Sequence, residues 1–145
     1  MNILISTTTN WNVGDDFIRM GVQHLLDEVY PDANYIHYDR NPNNFVSFPD
    51  NQKPKKYQLG NIMTGTIDWS SIDLVVLAGS PEFLHEPLHP IYSGLVSHPN
   101  IPLWAIGVGY TYPQLLKRLT VAEKTVLSRP TTKIIVRQHD LKKIH

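Results

Sequence analysis

The sequence predicts an α/β fold, a parallel sheet of about five strands with helices packed on both faces. Three observations carry this expectation. Asp73-Leu74-Val75-Val76-Leu77-Ala78 is a nearly unbroken apolar run, the pattern of a strand buried on both faces in a parallel sheet. Ile3-Leu4-Ile5 and Leu103-Trp104-Ala105-Ile106 are shorter apolar runs, each followed by a polar, Gly-containing loop. Stretches of helical periodicity alternate with these runs, which gives a three-layer, Rossmann-like domain with right-handed crossovers.

Each element has its own justification. Residues 1–6 read as a buried strand and 15–30 as a helix whose apolar positions are Ile18, Val22, Leu25, Leu26 and Val29, with Phe17 and Gly21 beside them. Asn12 or Gly14 is expected to cap this helix, Asp15 and Asp16 suit its first turn, and Pro31 stops it. Residues 34–38 form a second strand, since Tyr35, Ile36 and Tyr38 favour extended backbone.

The connection over 39–67 is irregular. It is punctuated by Pro42, Pro49 and Pro54 and carries Lys53, Lys55 and Lys56, so it is either a functional flap or holds structure such as a strand or helical turn near 58–63. The strand at 73–78 ends in Gly79-Ser80-Pro81, and a broken helix follows over 91–96. The strand at 102–106 ends in Gly107-Val108-Gly109-Tyr110. A helix over 113–127 with Leu115, Leu116, Leu119, Val121, Ala122 and Val126, then a strand at 133–136, complete the chain. The expected strand order is 3-2-1-4-5. It makes the first strand central. The loop of that strand is expected beside the Gly79 turn, with the Gly107 loop next along the same edge.

Composition narrows the function. The 145 residues suit a single domain spanning 1–145. Thirteen basic and thirteen acidic residues leave no formal net charge, which argues against nucleic-acid binding. The chain has no cysteine, hence no thiol nucleophile or thiolate metal site. No secretory leader pattern is seen, and no apolar run approaches the ~20 residues of a membrane span. The expectation is a cytoplasmic protein with no membrane span, no cofactor and no metal.

The candidate site lies where strands give way to helices. The loop Asn10-Trp11-Asn12-Val13-Gly14-Asp15-Asp16 could present backbone N–H groups to an anion. Its two aspartates oppose that role, because they already complement the helix dipole and repel phosphate. Hydrogen bonding to sugar hydroxyls, or Asp15 as a general base, fits better. The alternative is a simple cap with good first-turn residues. Gly79 and Ser80 either approach a ligand or form an ordinary strand-end turn. Gly107 and Gly109 hold two glycines of the dinucleotide fingerprint and lack the third, so they read as a ligand-approach loop in which Tyr110 could stack, or as a tight turn. Arg137, at the end of the last strand, is either an anion clamp or a solvated charge. His85-Glu86-Pro87-Leu88-His89 matches a zinc-protease pattern by letter, but Pro87 sits inside it and Pro90 follows, against the helix that pattern needs.

Taken in order, these pieces resemble a known family. Asn12-x-Gly14-Asp15-x-x-Ile18, followed by Gly21 and Leu25-Leu26, is similar to the opening of polysaccharide pyruvyl transferases. Val75-Val76-Leu77-Ala78-Gly79-Ser80, Ala105-Ile106-Gly107-Val108-Gly109 and Ile135-Val136-Arg137 resemble the family's later strands and turns. Ser80 stands where a further glycine is usual, and Gln138 where an acid is usual.

The resemblance implies one half of a GT-B-like fold and transfer of a pyruvyl group from phosphoenolpyruvate to a sugar or glycan hydroxyl, in exopolysaccharide biosynthesis. It implies Asp15 as catalytic base and substrate contacts from Asn12, Gly14, Gly79, Ser80, Gly107, Gly109, Tyr110 and Arg137. The chain corresponds to the family's acceptor-side half, and the second Rossmann-like domain is expected to be absent. A second chain or a homo-oligomer would then complete the cleft. The alternative is a non-catalytic binding or assembly domain that keeps the fold.

Overall fold

The structure is a computed structural model that describes residues 1–7, 13–39, 67–79, 88–108 and 119–136. Strand β1 (Asn2–Thr7) leads to helix α1 (Val13–Val29) and strand β2 (Asn34–Asp39). A single 3-10 turn (Trp69–Ser71) precedes strand β3 (Leu74–Ala78). Helix α2 (His89–Ser97), strand β4 (Leu103–Val108), helix α3 (Val121–Leu127) and strand β5 (Thr132–Val136) follow. The α/β class and its parallel sheet are as the sequence predicts.

The strand order differs from expectation. The sheet runs β2-β1-β3-β4-β5, not 3-2-1-4-5, with every neighbouring pair parallel. The centre is therefore β3 rather than β1. Burial explains this: every residue of β3 is buried, whereas β2 carries Asn34, His37 and Asp39 and suits an edge. The connection after β2 returns the chain past β1 to start β3 on its other side. Because β1 pairs directly with β3, with Ser6 opposite Leu77, the ends of β1 and β3 are adjacent, which the order 3-2-1-4-5, with β2 between them, would not give. Strand β4 comes next along, with Ala78 opposite Ile106.

Two apolar layers flank the sheet. On one face, Ile3, Ile5, Leu74, Val76 and Ala78 pack against Val22 and Leu26 of α1. On the other, Leu4, Tyr38, Val75, Leu77, Leu103, Ala105 and Val108 pack against Leu88, Ile91, Tyr92 and Leu95 around α2 and Val126 of α3. The alternation of side chains along each strand produces the two sets. At the foot of the sheet the Trp69 ring lies against Gly94, where a Cβ would collide with it. It also stacks on His98 with ring centroids 5.6 Å apart.

Several boundaries shift. Helix α1 begins at Val13, so Gly14 lies inside its first turn and does not cap it. Phe17, Leu25 and Val29 are exposed, leaving Val22 and Leu26 as the buried pair with Ile18 packed beside them. Strand β4 extends to Val108, which takes Gly107 into the strand. The expected helix over 113–127 is not continuous: Leu119 and Thr120 are not helical, and α3 begins only at Val121. Thr120 caps it by accepting from the Glu123 N–H at 3.2 Å, while the Glu123 carboxylate accepts from the Thr120 N–H at 2.6 Å, a reciprocal capping box. Val121 opens the helix and is exposed, so it is not a core position. The expected element at 58–63 and the lysine cluster at 53–56 lie outside the described residues.

Candidate functional site

All five strands are parallel, so their C-terminal ends share one edge, and α1 starts at that edge. Gly79 follows β3 directly and its N–H donates to the Ile106 carbonyl at 2.8 Å, tying it to β4. Gly79 and Gly107 both have φ of +67°, a conformation that side chains disfavour. At Gly107 the register between β4 and β5 slips, between Ile106 and Val108, as a left-handed glycine in a bulge allows.

One side chain links these two glycines. A Cβ on Gly79 would run into Ile18 of α1, and one on Gly107 would lie 3.9 Å from Ile18 Cγ2. The close approach at Gly79 is thus made by Ile18. One turn earlier in α1, Gly14 is exposed and Asp15 is half-buried. The structure therefore brings the first turns of α1 together with the ends of β3 and β4. Asn12, Ser80, Gly109, Tyr110 and Arg137 lie outside the described residues.

Sequence reasoning missed a polar group beside this edge, between α1 and β2. Asp16, Arg19 and His37 are all buried. Arg19 pairs with Asp16, its NH2 group 3.7 Å from Oδ1, and donates through NH1 to Gln23 Oε1. Burial, with the nearby Arg19 guanidinium acting in the same direction, lowers the His37 imidazole to about 4. His37 is therefore neutral at pH 7, with one ring nitrogen able to donate and the other to accept. Arg19 Nε and His37 Nε2 have no hydrogen-bond partner among the described residues. The signal lay in the spacing. Arg19, Val22 and Leu26 share one helical arc, and His37 alternates with Tyr35 onto the face under α1. Tyr35 donates to Asp27 Oδ1 at 2.8 Å, and burial with that contact raises its hydroxyl.

The opposite face is different in character. Tyr92 is fully buried, and burial, reinforced by the Glu123 carboxylate, pushes its hydroxyl up. Among the described residues no group of three His, Asp or Glu side chains could hold a metal ion. Helix α2 starts at His89 with Leu88 as its N-cap, and His85, Glu86 and Pro87 lie outside the described residues. Among the described residues no helix is long and apolar enough to cross a membrane.

Comparison with known proteins adds one match. The family model described as polysaccharide pyruvyl transferase matches residues 12–139, most of the chain. No curated protein and no solved structure matches it. The matched stretch runs from the loop before α1 to the end of β5 and beyond, and so includes every strand end at the candidate edge but that of β1. The chain belongs to the polysaccharide pyruvyl transferase family.

Proposed function

We propose that this chain supplies the acceptor side of a pyruvyl transfer, from phosphoenolpyruvate to hydroxyls of a sugar or glycan. The observation that carries this reading is the placement of Asp15 in the first turn of α1, beside the strand ends bearing Gly79 and Gly107, in a chain of this family. Ligands of open α/β sheets bind at such an edge. In ketal formation the donor double bond takes a proton at its terminal carbon while a sugar hydroxyl adds to the central one. Phosphate then leaves as a second hydroxyl closes the ring. Each attacking hydroxyl must lose its proton, and the Asp15 carboxylate is the base assigned to that step. Asn12, Gly14, Ser80, Gly109 and Tyr110 would line the acceptor, and Arg137 would hold the donor's anionic group. The cytoplasmic location and the exopolysaccharide pathway belong to the same proposal.

The test is phosphate release and mass gain of the acceptor when the protein is incubated with phosphoenolpyruvate and glycans, alone and with candidate partner chains. Asp15→Asn should lower turnover by roughly 10²–10⁴-fold while glycan binding persists. Absence of both turnover and ligand-induced thermal stabilisation under every condition would sink the reading and leave a non-catalytic binding domain.

A further inference from the structure

Helix α1 meets the ends of β3 and β4 through one half-buried side chain, Ile18, at the margin of the apolar layer that holds Ile5, Val76 and Ala78. The Ile18 Cγ2 methyl is its nearest atom to both strand-end glycines. A Cβ on Gly79 would run into it, and one on Gly107 would lie 3.9 Å from it. The surface beneath that methyl belongs to the sheet: Gly107 lies within β4, and the Gly79 N–H is bonded to the Ile106 carbonyl.

The chemistry of isoleucine makes this contact a spacer. A β-branched side chain in a helix keeps essentially one χ1 rotamer, so its Cγ2 stands at a fixed offset from the helix axis. Leucine has the same carbons but no methyl on Cβ. Asp15 precedes Ile18 by three residues and is also half-buried. Side chains three apart are neighbours on a helix, with Cβ atoms about 5–6 Å apart. The Ile18 Cβ would itself lie 3.1 Å from a Cβ on Gly79, which puts the Asp15 Cβ within roughly 10 Å of the Gly79 Cα. The contacts of Arg19 with Asp16 and Gln23 run within α1, so they do not set its height over the strands.

We propose that Ile18 is a positioning residue: its Cγ2 methyl, resting on Gly79 and Gly107, sets the height of the first turn of α1, and with it the Asp15 carboxylate, over the ends of β3 and β4. The catalytic part of this inference rests on the reading of Asp15 as the base of pyruvyl transfer; the spacing of α1 does not. A general base must come within hydrogen-bond reach of the proton it takes, and a misplacement of about 1 Å can cost on the order of 10²-fold in rate. Apolar volume alone does not fix such a position, whereas a methyl on Cβ does.

Two substitutions separate positioning from packing. Ile18→Leu keeps the volume, which cores tolerate well, and leucine is the better helix former, but it loses the Cγ2 methyl. Ile18→Val keeps that methyl and gives up a methylene, which should raise the unfolding constant roughly 3–10-fold. Activity should run against stability. With phosphoenolpyruvate and a glycan acceptor, Ile18→Leu should lower kcat about tenfold or more with little change in KM, while Ile18→Val stays within about threefold of wild type. In crystal structures superposed on β3 and β4, the Asp15 Cα should move by about 0.5 Å or more in Ile18→Leu and stay in place in Ile18→Val. An unmoved Asp15 in Ile18→Leu, or kcat values that follow stability, would overturn the role of Ile18 while leaving the pyruvyl reading standing. A wild-type protein without turnover, with Asp15 displaced only in Ile18→Leu, would strike the pyruvyl reading and uphold Ile18 as the spacer.

Discussion

The two faces of the sheet solve different problems. The face under α2 and α3 is a broad apolar layer with fully buried Leu88, Ile91, Tyr92, Leu95 and Leu103. The face under α1 is narrower, and near the candidate edge its apolar residues give way to Asp16, Arg19 and His37. An Asp and an Arg are rarely buried unless paired, and an incompletely satisfied polar group costs free energy. The contrast teaches that one face fixes the fold while the other gives up stability to place charge and hydrogen-bonding capacity beside the strand ends.

The largest effect belongs on the apolar face. Leu95→Ala removes a fully buried side chain and should cost about 2–5 kcal/mol, equally at pH 8 and pH 5, in denaturant unfolding. A much smaller loss would mean that this layer is not the main source of stability.

The α1 face should respond to pH instead. His37 titrates near 4 in the folded protein and near 6.5 when unfolded. Above about 6.5 both states are neutral and stability is complete. As pH falls towards 4 the unfolded chain takes up the proton first, and up to about 3 kcal/mol is lost. His37→Gln should flatten that part of the stability curve. An acid loss of the same size in the variant would move its origin to the other face.

The smallest effect tests the cap. Thr120→Ala removes the hydroxyl that accepts from the Glu123 N–H and donates to the Glu123 carboxylate, and should cost about 1 kcal/mol with little pH dependence between 6 and 8.

Much of the architecture was legible in the sequence, for identifiable reasons. The β3 run declared a doubly buried strand, and Asp15, Asp16 and Pro31 bracketed α1. Strand order was not legible, because it depends on which side of β1 the chain returns after β2, and the 39–67 connection has no periodicity to show it. The inward side of α1 was ambiguous as well. Apolar residues occupy both Val22-Leu26 and Phe17-Leu25, and only the seating of Ile18 on Gly79 selects the first pair. Arg19 and His37 were overlooked because their residue types are exposed by default, although their spacing put them on inward positions. At the candidate site, sequence and structure agree on the edge formed by Gly79, Gly107 and the start of α1.

Ile18 also has a consequence for how such a domain can diversify. Gly79 is held by two independent constraints, its backbone conformation and the Ile18 side chain above it, so it is costly to replace by any route. Ile18 is held only by packing. Replacing it stepwise by valine and then alanine would hollow out the space between two glycines without disturbing the backbone of β3 or β4. A lineage could thereby change the space beside the strand ends through one position, with the strands as an unaltered frame.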